Sequence, residues 1–430
     1  MTTDTRRIAY EILLKVDTDG AYANSEILSR EKESNDIDGD FLRRLVYGVM
    51  EKKLYLDHIL DKLILRGIRS VDKKTLQILR LGLYQIMFMG SVPEYAAIDS
   101  SVELAKQNVR GKDGFVNAVL RNHLRDGGKI ELPDPSVSFA KYLSVKHSID
   151  ESIIDKWISE FGEEDCDKMT EAIDFDAEHG SFAIRVNLMK NSREEVKNAL
   201  KDIEIETLDS SLSQRSLIVR DIGGNRITET EIYRSGGISI QSQESTWISD
   251  LVNAKPGERV LDACAAPGGK TMALAESMDN KGKIVCWDIY EHRLEQIREQ
   301  AERLGIVIAS TQARDAGEYL PELEESFDAV LVDAPCSGYG VMSNKPEIRY
   351  KSIKDIRDLP DVQKRILQTC SRYVKSGGRL IYCTCTINVD ENKAIVSDFL
   401  ERNHWFKLEF ERQLLPQEGY KGFYAAVITH

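Results

Sequence analysis

Two short motifs place thiols where they could do chemistry. Asp333-Ala-Pro-Cys-Ser-Gly338 carries Cys336, and Tyr382-Cys-Thr-Cys-Thr386 carries Cys383 and Cys385. Each follows an apolar, strand-like run, residues 329–332 and 380–381. Each motif therefore puts a cysteine at the carboxyl end of a predicted strand, the edge of an open α/β sheet where ligands bind. A thiolate is a strong side-chain nucleophile, so two thiols converging there point to covalent catalysis. The competing reading is two small buried hydrophobes, the usual fate of a free cysteine.

A second feature suggests what binds beside them. The strand predicted at 259–264 runs into Asp262-Ala-Cys-Ala-Ala-Pro-Gly-Gly-Lys-Thr271. A dinucleotide loop needs Gly-x-Gly-x-x-Gly, and that spacing is missing. A phosphate loop needs Gly-x-x-x-x-Gly-Lys-Thr, and Cys264 occupies the first glycine position. An acidic residue at the strand end, before a turn of small residues, better suits a nucleoside without phosphates such as S-adenosylmethionine. Asp288 closes the next predicted strand, where a carboxylate can bridge ribose hydroxyls. Asp315 follows the third, placed to accept from an adenine amino group. Each aspartate alone reads as a cap or a solvated turn residue; three at successive strand ends, with the glycine loop, read as one site.

These motifs need a scaffold. The 430 residues are enough for two or three domains. No apolar run is long enough to span a membrane, and the N-terminus does not resemble a signal peptide. The seven cysteines fall at irregular spacings, which predicts cytoplasmic free thiols, and none has a zinc-site partner pattern, so no metal is expected. Net charge is −13, but residues 1–127 carry 20 Lys+Arg against 19 Asp+Glu. Any nucleic-acid partner would find that half the less repulsive.

Residues 1–127 read as all-helical: Ile8, Ile12, Leu13 and Val16, then Leu56, Ile59, Leu60, Leu63 and Ile64, recur at helical spacing, and 76–89 is apolar nearly all round. Gly127-Gly128, then Pro133 and Pro135, mark a linker. Residues 128–239 read as that linker and a small α+β module, with a helix around 149–161, a strand at 182–186, a helix at 192–200 capped by Ser192, and strands at 203–208 and 217–219. From 240 to 430, strands at 259–264, 283–289, 307–312, 327–334 and 378–384 alternate with helices such as 292–304 and 361–374. That pattern predicts a doubly wound α/β sheet, with 405–410 and 422–429 as an antiparallel edge.

The C-terminal motifs, together with Gln241-Ser-Gln-Glu-Ser-Thr-Trp247 and Ile184-Arg-Val-Asn-Leu-Met189, resemble the RsmB/NSUN-type RNA cytosine-5 methyltransferases. The N-terminal region is similar to NusB, a helical RNA-binding domain, in Arg6-Arg7-Ile-Ala-Tyr10, 42–46, 92–97 and Phe115-Val-Asn-Ala-Val-Leu-Arg121. The resemblance implies a NusB-like domain, a bridging module and a Rossmann-like methyltransferase domain. It implies methylation of a cytosine in 16S ribosomal RNA of the small subunit, by a monomer in the cytoplasm. It also implies that Cys385 is the nucleophile, that Cys336 assists product release, and that Asp333 holds the base. Cys264, Ala265, Ala266, Pro267, Gly268, Gly269, Lys270, Asp288, Asp315 and Asp333 should bind S-adenosylmethionine or shape its pocket. Lys270 is expected to support the base electrostatically as well.

Two departures stand out. Met342-Ser-Asn-Lys345 replaces a pair of arginines usual after the first cysteine motif, which should weaken RNA backbone contacts locally. Cys383 replaces the usual serine or threonine, with no mechanistic effect expected. Arg6, Arg7, Arg43, Arg44, Lys52 and Lys53 are the candidate RNA contacts of the helical region. Two other readings compete. A DNA cytosine-5 methyltransferase would use Cys336, with Asp390-Glu391-Asn392 as its Glu-Asn motif; a tRNA enzyme would keep the same chemistry. A non-catalytic assembly or antitermination factor would retain the fold without needing the thiols.

Overall fold

The computed structural model describes residues 2–33, 37–125, 127, 131–180 and 182–430. By contacts the chain forms two compact units. One comprises Phe175–Val341 and Lys354–His430, the other Met1–Asp174 and Met342–Ile353. The division falls at Asp174 rather than at the expected 127 and 239, because three helices, Phe139–His147, Glu151–Phe161 and most of Glu163–His179, count with the N-terminal helices. Gly128 lies outside the described residues.

The larger unit holds two sheets. A small antiparallel sheet has the order β2-β3-β1-β4, with β1 Phe182–Val186, β2 Glu206–Asp209, β3 Ser216–Asp221 and β4 Ile238–Ile240. The strand expected at 203–208 starts later. The helix Arg193–Lys201 overruns into a turn, with Ile203 and Ile205 N–H both donating to the Leu200 carbonyl and Glu204 at φ +60°. The helix start is as read: Ser192 and Glu195 form a reciprocal capping box.

The main sheet has seven strands: β5 Arg259–Asp262, β6 Lys283–Asp288, β7 Ala309–Ala313, β8 Phe327–Asp333, β9 Val374–Thr384, β10 Lys407–Gln413 and β11 Tyr424–Thr429. Their order is β10-β11-β9-β8-β5-β6-β7. Strands β5 to β9 pair in parallel, and β11 and β10 add the expected antiparallel edge. Valines, isoleucines and leucines of β5, β6, β8 and β9 are buried on both faces, as a parallel sheet covered by helices requires. From β5 the chain winds one way through β6 and β7, then returns to β8 on the other side. The carboxyl ends of β5 and β8 flank that switch point, the ligand crevice of such sheets.

In the helical unit, Lys73–Phe88 is the central helix, with Ile78, Leu79, Leu81 and Leu83 fully buried, as its all-round apolar pattern predicts. Five of the six expected RNA contacts are engaged within the unit. Arg6 is buried, donating to Gln85 Oε1 at 2.6 Å over the Phe41 ring. Arg7 pairs with Glu11, Arg43 with Glu31, Lys52 with Asp174 and Lys53 with Asp17. Arg44 is exposed. Residues 342–353 also belong here. Arg349 is fully buried and donates to the His147 carbonyl and to Asp174 Oδ1, each at 2.7 Å. Tyr350 donates its hydroxyl to the Met50 carbonyl, while Asn344 and Lys345 are exposed.

Candidate active site

The register of the sheet brings the two cysteine motifs together. Asp333 at the end of β8 lies opposite Cys383 on β9. The chains leave the sheet side by side, with Ala334 N–H donating to the Cys383 carbonyl at 3.0 Å and Gly340 N–H to the Cys385 carbonyl at 3.1 Å. This approach requires glycine at 340: a Cβ there would sit 1.7 Å from the Gly422 carbonyl oxygen. The result is a Cys336 Sγ to Cys385 Sγ distance of 3.4 Å, with both residues partly exposed. The hydrogen bond with Cys385, then burial, pushes the Cys336 thiol well above its ordinary pKa. Either thiol can donate to the other across that contact.

Lys270 stands beside the thiols. Its ammonium donates to Asp333 Oδ2 at 2.6 Å. Burial would lower its pKa, but Asp333, with Cys383 and Cys385 nearby, raises it overall, so the lysine stays charged. Lys270, expected both among the cofactor contacts and as electrostatic support for the base, joins its side chain to the Asp333–thiol cluster. Cys383, expected to be a bystander, directs its S–H at Asp333 Oδ1, 3.5 Å away, and burial pushes its thiol up. Asp333 is thus held from both oxygens.

The cofactor loop follows β5. Asp262 is buried; its Oδ2 accepts from Thr271 Oγ1 at 2.7 Å, and its Oδ1 has no hydrogen-bond partner. Burial pushes its carboxyl up to about 7, with Thr271 opposing and Asp333 adding to the shift. Gly268, at φ +102°, starts the helix Gly269–Ser277; a Cβ there would lie 3.1 Å from Ile297. Ala265 and Ala266 are buried in the core, and the Cys264 side chain packs into the adjoining cluster, so the loop offers mainly backbone. At the end of β6, Asp288 is buried, accepts from Tyr290 N–H at 3.1 Å and pairs with Arg293 at 3.2 Å. Asp315, after β7, accepts from Gly317 N–H at 2.8 Å and pairs with Arg365 at 3.1 Å.

These groups fit S-adenosylmethionine. An orphaned buried carboxyl oxygen on Asp262 and the Asp288 carboxylate suit hydroxyl or amine donors. Among the described residues, no group of three or more His, Cys, Asp or Glu could hold a metal ion.

Some positioning residues escaped the sequence reading. Arg185 of β1, buried, donates to both Glu276 oxygens at 2.8 Å and to the Gly269 carbonyl at 2.9 Å, anchoring the cofactor helix. Its only signal was membership of the 184–189 motif. Gln363, Thr386, Asn388 and Glu391 are buried around the thiol loops; Glu391 was legible only as part of a Glu-Asn pair.

Known proteins match both halves. A family model described as 16S rRNA methyltransferase RsmB/F matches residues 249–427, and one described as the NusB family matches 3–125. A probable ribosomal RNA small subunit methyltransferase B of Bacillus subtilis is 35% identical over 425 residues, covering 96% of this chain and 92% of its own. The chain belongs to the RsmB/F family. A ribosomal RNA small subunit methyltransferase B of Pasteurella multocida is 29% identical, covering 98% of this chain and 95% of its own. A crystal structure of a methyltransferase homolog from Pyrococcus horikoshii superposes at TM-score 0.60 with 26% identity, covering 69% of this chain and 99% of that one. As an RsmB/F member the chain is an S-adenosylmethionine-dependent methyltransferase, with a NusB-like helical region and an α/β catalytic domain. No helix among the described residues is long and apolar enough to cross a membrane.

Proposed function

We propose that the protein methylates carbon 5 of a cytosine in 16S ribosomal RNA through a covalent Cys385 adduct. The observation that carries this reading is the pair of thiols 3.4 Å apart, beside the Lys270–Asp333 ion pair, at the sheet edge next to the cofactor loop. The relatives' names, small subunit ribosomal RNA methyltransferase B, support the RNA as substrate and with it a cytoplasmic place of work. A monomer with a single active site accounts for the chemistry.

S-adenosylmethionine supplies the methyl group when bound, in the cradle of the 264–269 backbone, Asp262 and Asp288. Cys385 Sγ adds to cytosine carbon 6, which turns carbon 5 into a nucleophile. Asp333 hydrogen-bonds the ring nitrogen or amino group, and Lys270 keeps its carboxylate in place. Lys270, charged and buried nearby, also favours the Cys385 thiolate. In release, water takes the proton from carbon 5, the pair left behind re-forms the ring double bond, and the carbon 6–sulfur bond breaks with its electrons returning to Cys385 as thiolate. Cys336, its sulfur 3.4 Å from that of Cys385, assists that step. The target base must leave its stack to reach the thiols, which favours a loop or single-stranded site. The helical unit supports backbone binding through exposed Arg66, Arg69, Lys73, Lys74, Arg110 and Lys112 rather than through the residues paired internally.

Denaturing gels of protein incubated with 16S rRNA and S-adenosylmethionine test the roles. A protein–RNA adduct that accumulates in Cys336→Ala and is lost in Cys385→Ala is expected. The opposite pattern would assign the nucleophile to Cys336, as in the DNA-type reading. Adduct and turnover absent from every variant, wild type included, would reject the catalytic reading.

A further inference from the structure

The two thiols sit on separate loops, and one buried carboxylate ties those loops together. Glu391 is fully buried in the short turn Val389–Glu391. Its Oε2 accepts from Ser337 N–H at 2.8 Å and from Gln363 Nε2 at 2.9 Å. Its Oε1 accepts from Asn388 Nδ2 at 2.8 Å, and its backbone carbonyl accepts from the Tyr382 hydroxyl at 2.7 Å. Ser337 immediately follows Cys336, and Gln363 also donates to the carbonyl of Pro335, just before it, at 2.9 Å. The cysteine of the first loop is therefore clamped on both sides, and both clamps end on one carboxylate oxygen. The second loop is reached through Asn388, whose N–H donates to Thr386 Oγ1 at 3.2 Å, and through the 2.7 Å contact of Ser337 Oγ with Thr386 Oγ1.

All three donors to this carboxylate, one backbone N–H and two side-chain amides, are neutral. Burying an anion without a cation on it is costly, and a neutral isostere would ordinarily serve a purely structural purpose better. Here an isostere fails for a specific reason. A glutamine at 391 would turn one of its acceptor atoms into an NH2, facing the Asn388 donor or the Ser337 and Gln363 donors.

We infer that Glu391 is a positioning residue for the release step: it holds the Cys336 loop at the distance from Cys385 that adduct resolution needs. This rests on the proposed division of labour between the thiols. Cys385 directly follows β9, which fixes its backbone without help from Glu391, so loss of the Glu391 clamp displaces Cys336 more than the nucleophile. The nearby carboxylate also helps keep Cys336 in its thiol form.

The experiment compares wild type, Glu391→Gln, Gln363→Ala, Cys336→Ala and Cys385→Ala in two assays. In the first, single-turnover gels follow formation and decay of the RNA adduct. Glu391→Gln should form the adduct at near wild-type rate and resolve it roughly 10- to 100-fold more slowly, as displacement by about 1 Å predicts. Gln363→Ala, which keeps the Ser337 bond, should fall between. The second assay uses no RNA: diamide oxidises the two thiols to a disulfide, taking up their two electrons and two protons as it becomes its hydrazide. Wild type should cross-link Cys336 to Cys385 readily, and Glu391→Gln at least tenfold more slowly. S-adenosylmethionine affinity within twofold of wild type certifies the fold, and should Glu391→Gln fail that check, Gln363→Ala carries both assays. Wild-type resolution in the clamp variants, while Cys336→Ala accumulates adduct, would overturn the inference and leave the thiol roles standing. Absence of adduct from Cys336→Ala together with slow cross-linking in Glu391→Gln would reject those roles but keep the clamp. Unchanged cross-linking would overturn the clamp itself.

Discussion

The anchoring of the cofactor helix by the small sheet makes a sharp prediction at Arg185. Its side chain is 1% exposed and that of Glu276 2%, and the guanidinium donates to both carboxylate oxygens at 2.8 Å. A third bond, to the Gly269 carbonyl at 2.9 Å, ties the same guanidinium to the first residue of the helix Gly269–Ser277. Arg185→Met leaves Glu276 as a buried carboxylate without its charge partner, an effect of about 3–5 kcal/mol. Removing both charges, in Arg185→Met with Glu276→Leu, removes that penalty too and should return most of the stability, because the intact pair gains little net free energy over apolar packing. The single substitutions are therefore strongly non-additive, with a coupling of at least ~2 kcal/mol. Hydrogen exchange of amides in Gly269–Ser277 reads this locally. Arg185→Met should accelerate their exchange by roughly 10²- to 10³-fold and weaken S-adenosylmethionine binding, because the loop that precedes the helix loses its support. The double variant should recover protection but not full cofactor affinity, since the Gly269 tether is still absent. Less than tenfold acceleration in Arg185→Met, or a double variant as unprotected as the sum of the singles, would refute the reasoning.

Three further predictions follow from the site and its surroundings. Replacing Cys383 with valine removes the S–H on Asp333 and should slow single-turnover methylation by about fivefold, of order 1 kcal/mol, with cofactor affinity unchanged; serine, a stronger donor, should restore it, and equal rates for valine and wild type would make the thiol a bystander. Asp262, whose folded carboxyl is raised by burial to about 7, keeps its proton in the folded protein at pH values where the unfolded chain has lost it. Its contribution is therefore present in acid and is lost as pH rises through 7, by up to ~4 kcal/mol, and thermal melts of cofactor-free protein from pH 5 to 8 should flatten in Asp262→Asn. Changing Lys73, Lys74 and Lys112 to serine should reduce the slope of log affinity for rRNA against log salt by ~2 to 3, whereas Arg44→Ser should change it by less than one; filter binding at several salt concentrations decides between the two faces.

How much of this was readable in the sequence depends on the range of the contacts involved. The strand ends were legible because apolar runs and the small-residue turns after them are local signals, and Asp262, Asp288 and Asp333 lie at those ends as read. The convergence of Cys336 and Cys385 was legible once two parallel strands were inferred, because both motifs then leave the same sheet edge. The direct pairing of Lys270 with Asp333 was not legible, because the two are 63 residues apart and only the fold brings the side chains together. The basic residues of the helical region show a related effect. Adjacent pairs such as Arg6-Arg7 suggest an exposed face, but 3.6-residue periodicity turns Arg6 inward to Gln85 while Arg7 stays at the surface beside Glu11.

The division at Asp174 had no local signal at all. The linker-like glycine and prolines near 127–135 mark a change of composition, yet the helices after them pack with those before. Arg349 explains part of this. It lies only thirteen residues beyond Cys336, just after the Met342-Ser-Asn-Lys345 segment that replaces the usual arginine pair. Its guanidinium is instead buried on Asp174, which also receives His147 Nδ1 at 3.0 Å and Lys52 at 3.5 Å. Burial alone would raise the Asp174 carboxyl, but these partners hold it well below the ordinary range. A carboxylate with that many donors fixes residues from three distant stretches of sequence in one helical core, through groups that look solvent-facing when read singly. The same physics recurs at Glu391 and at Glu276. In each case an acidic residue that composition counts as surface charge is a buried or partly buried acceptor, and the identity of its donors, not of the acid, assigns it a purpose.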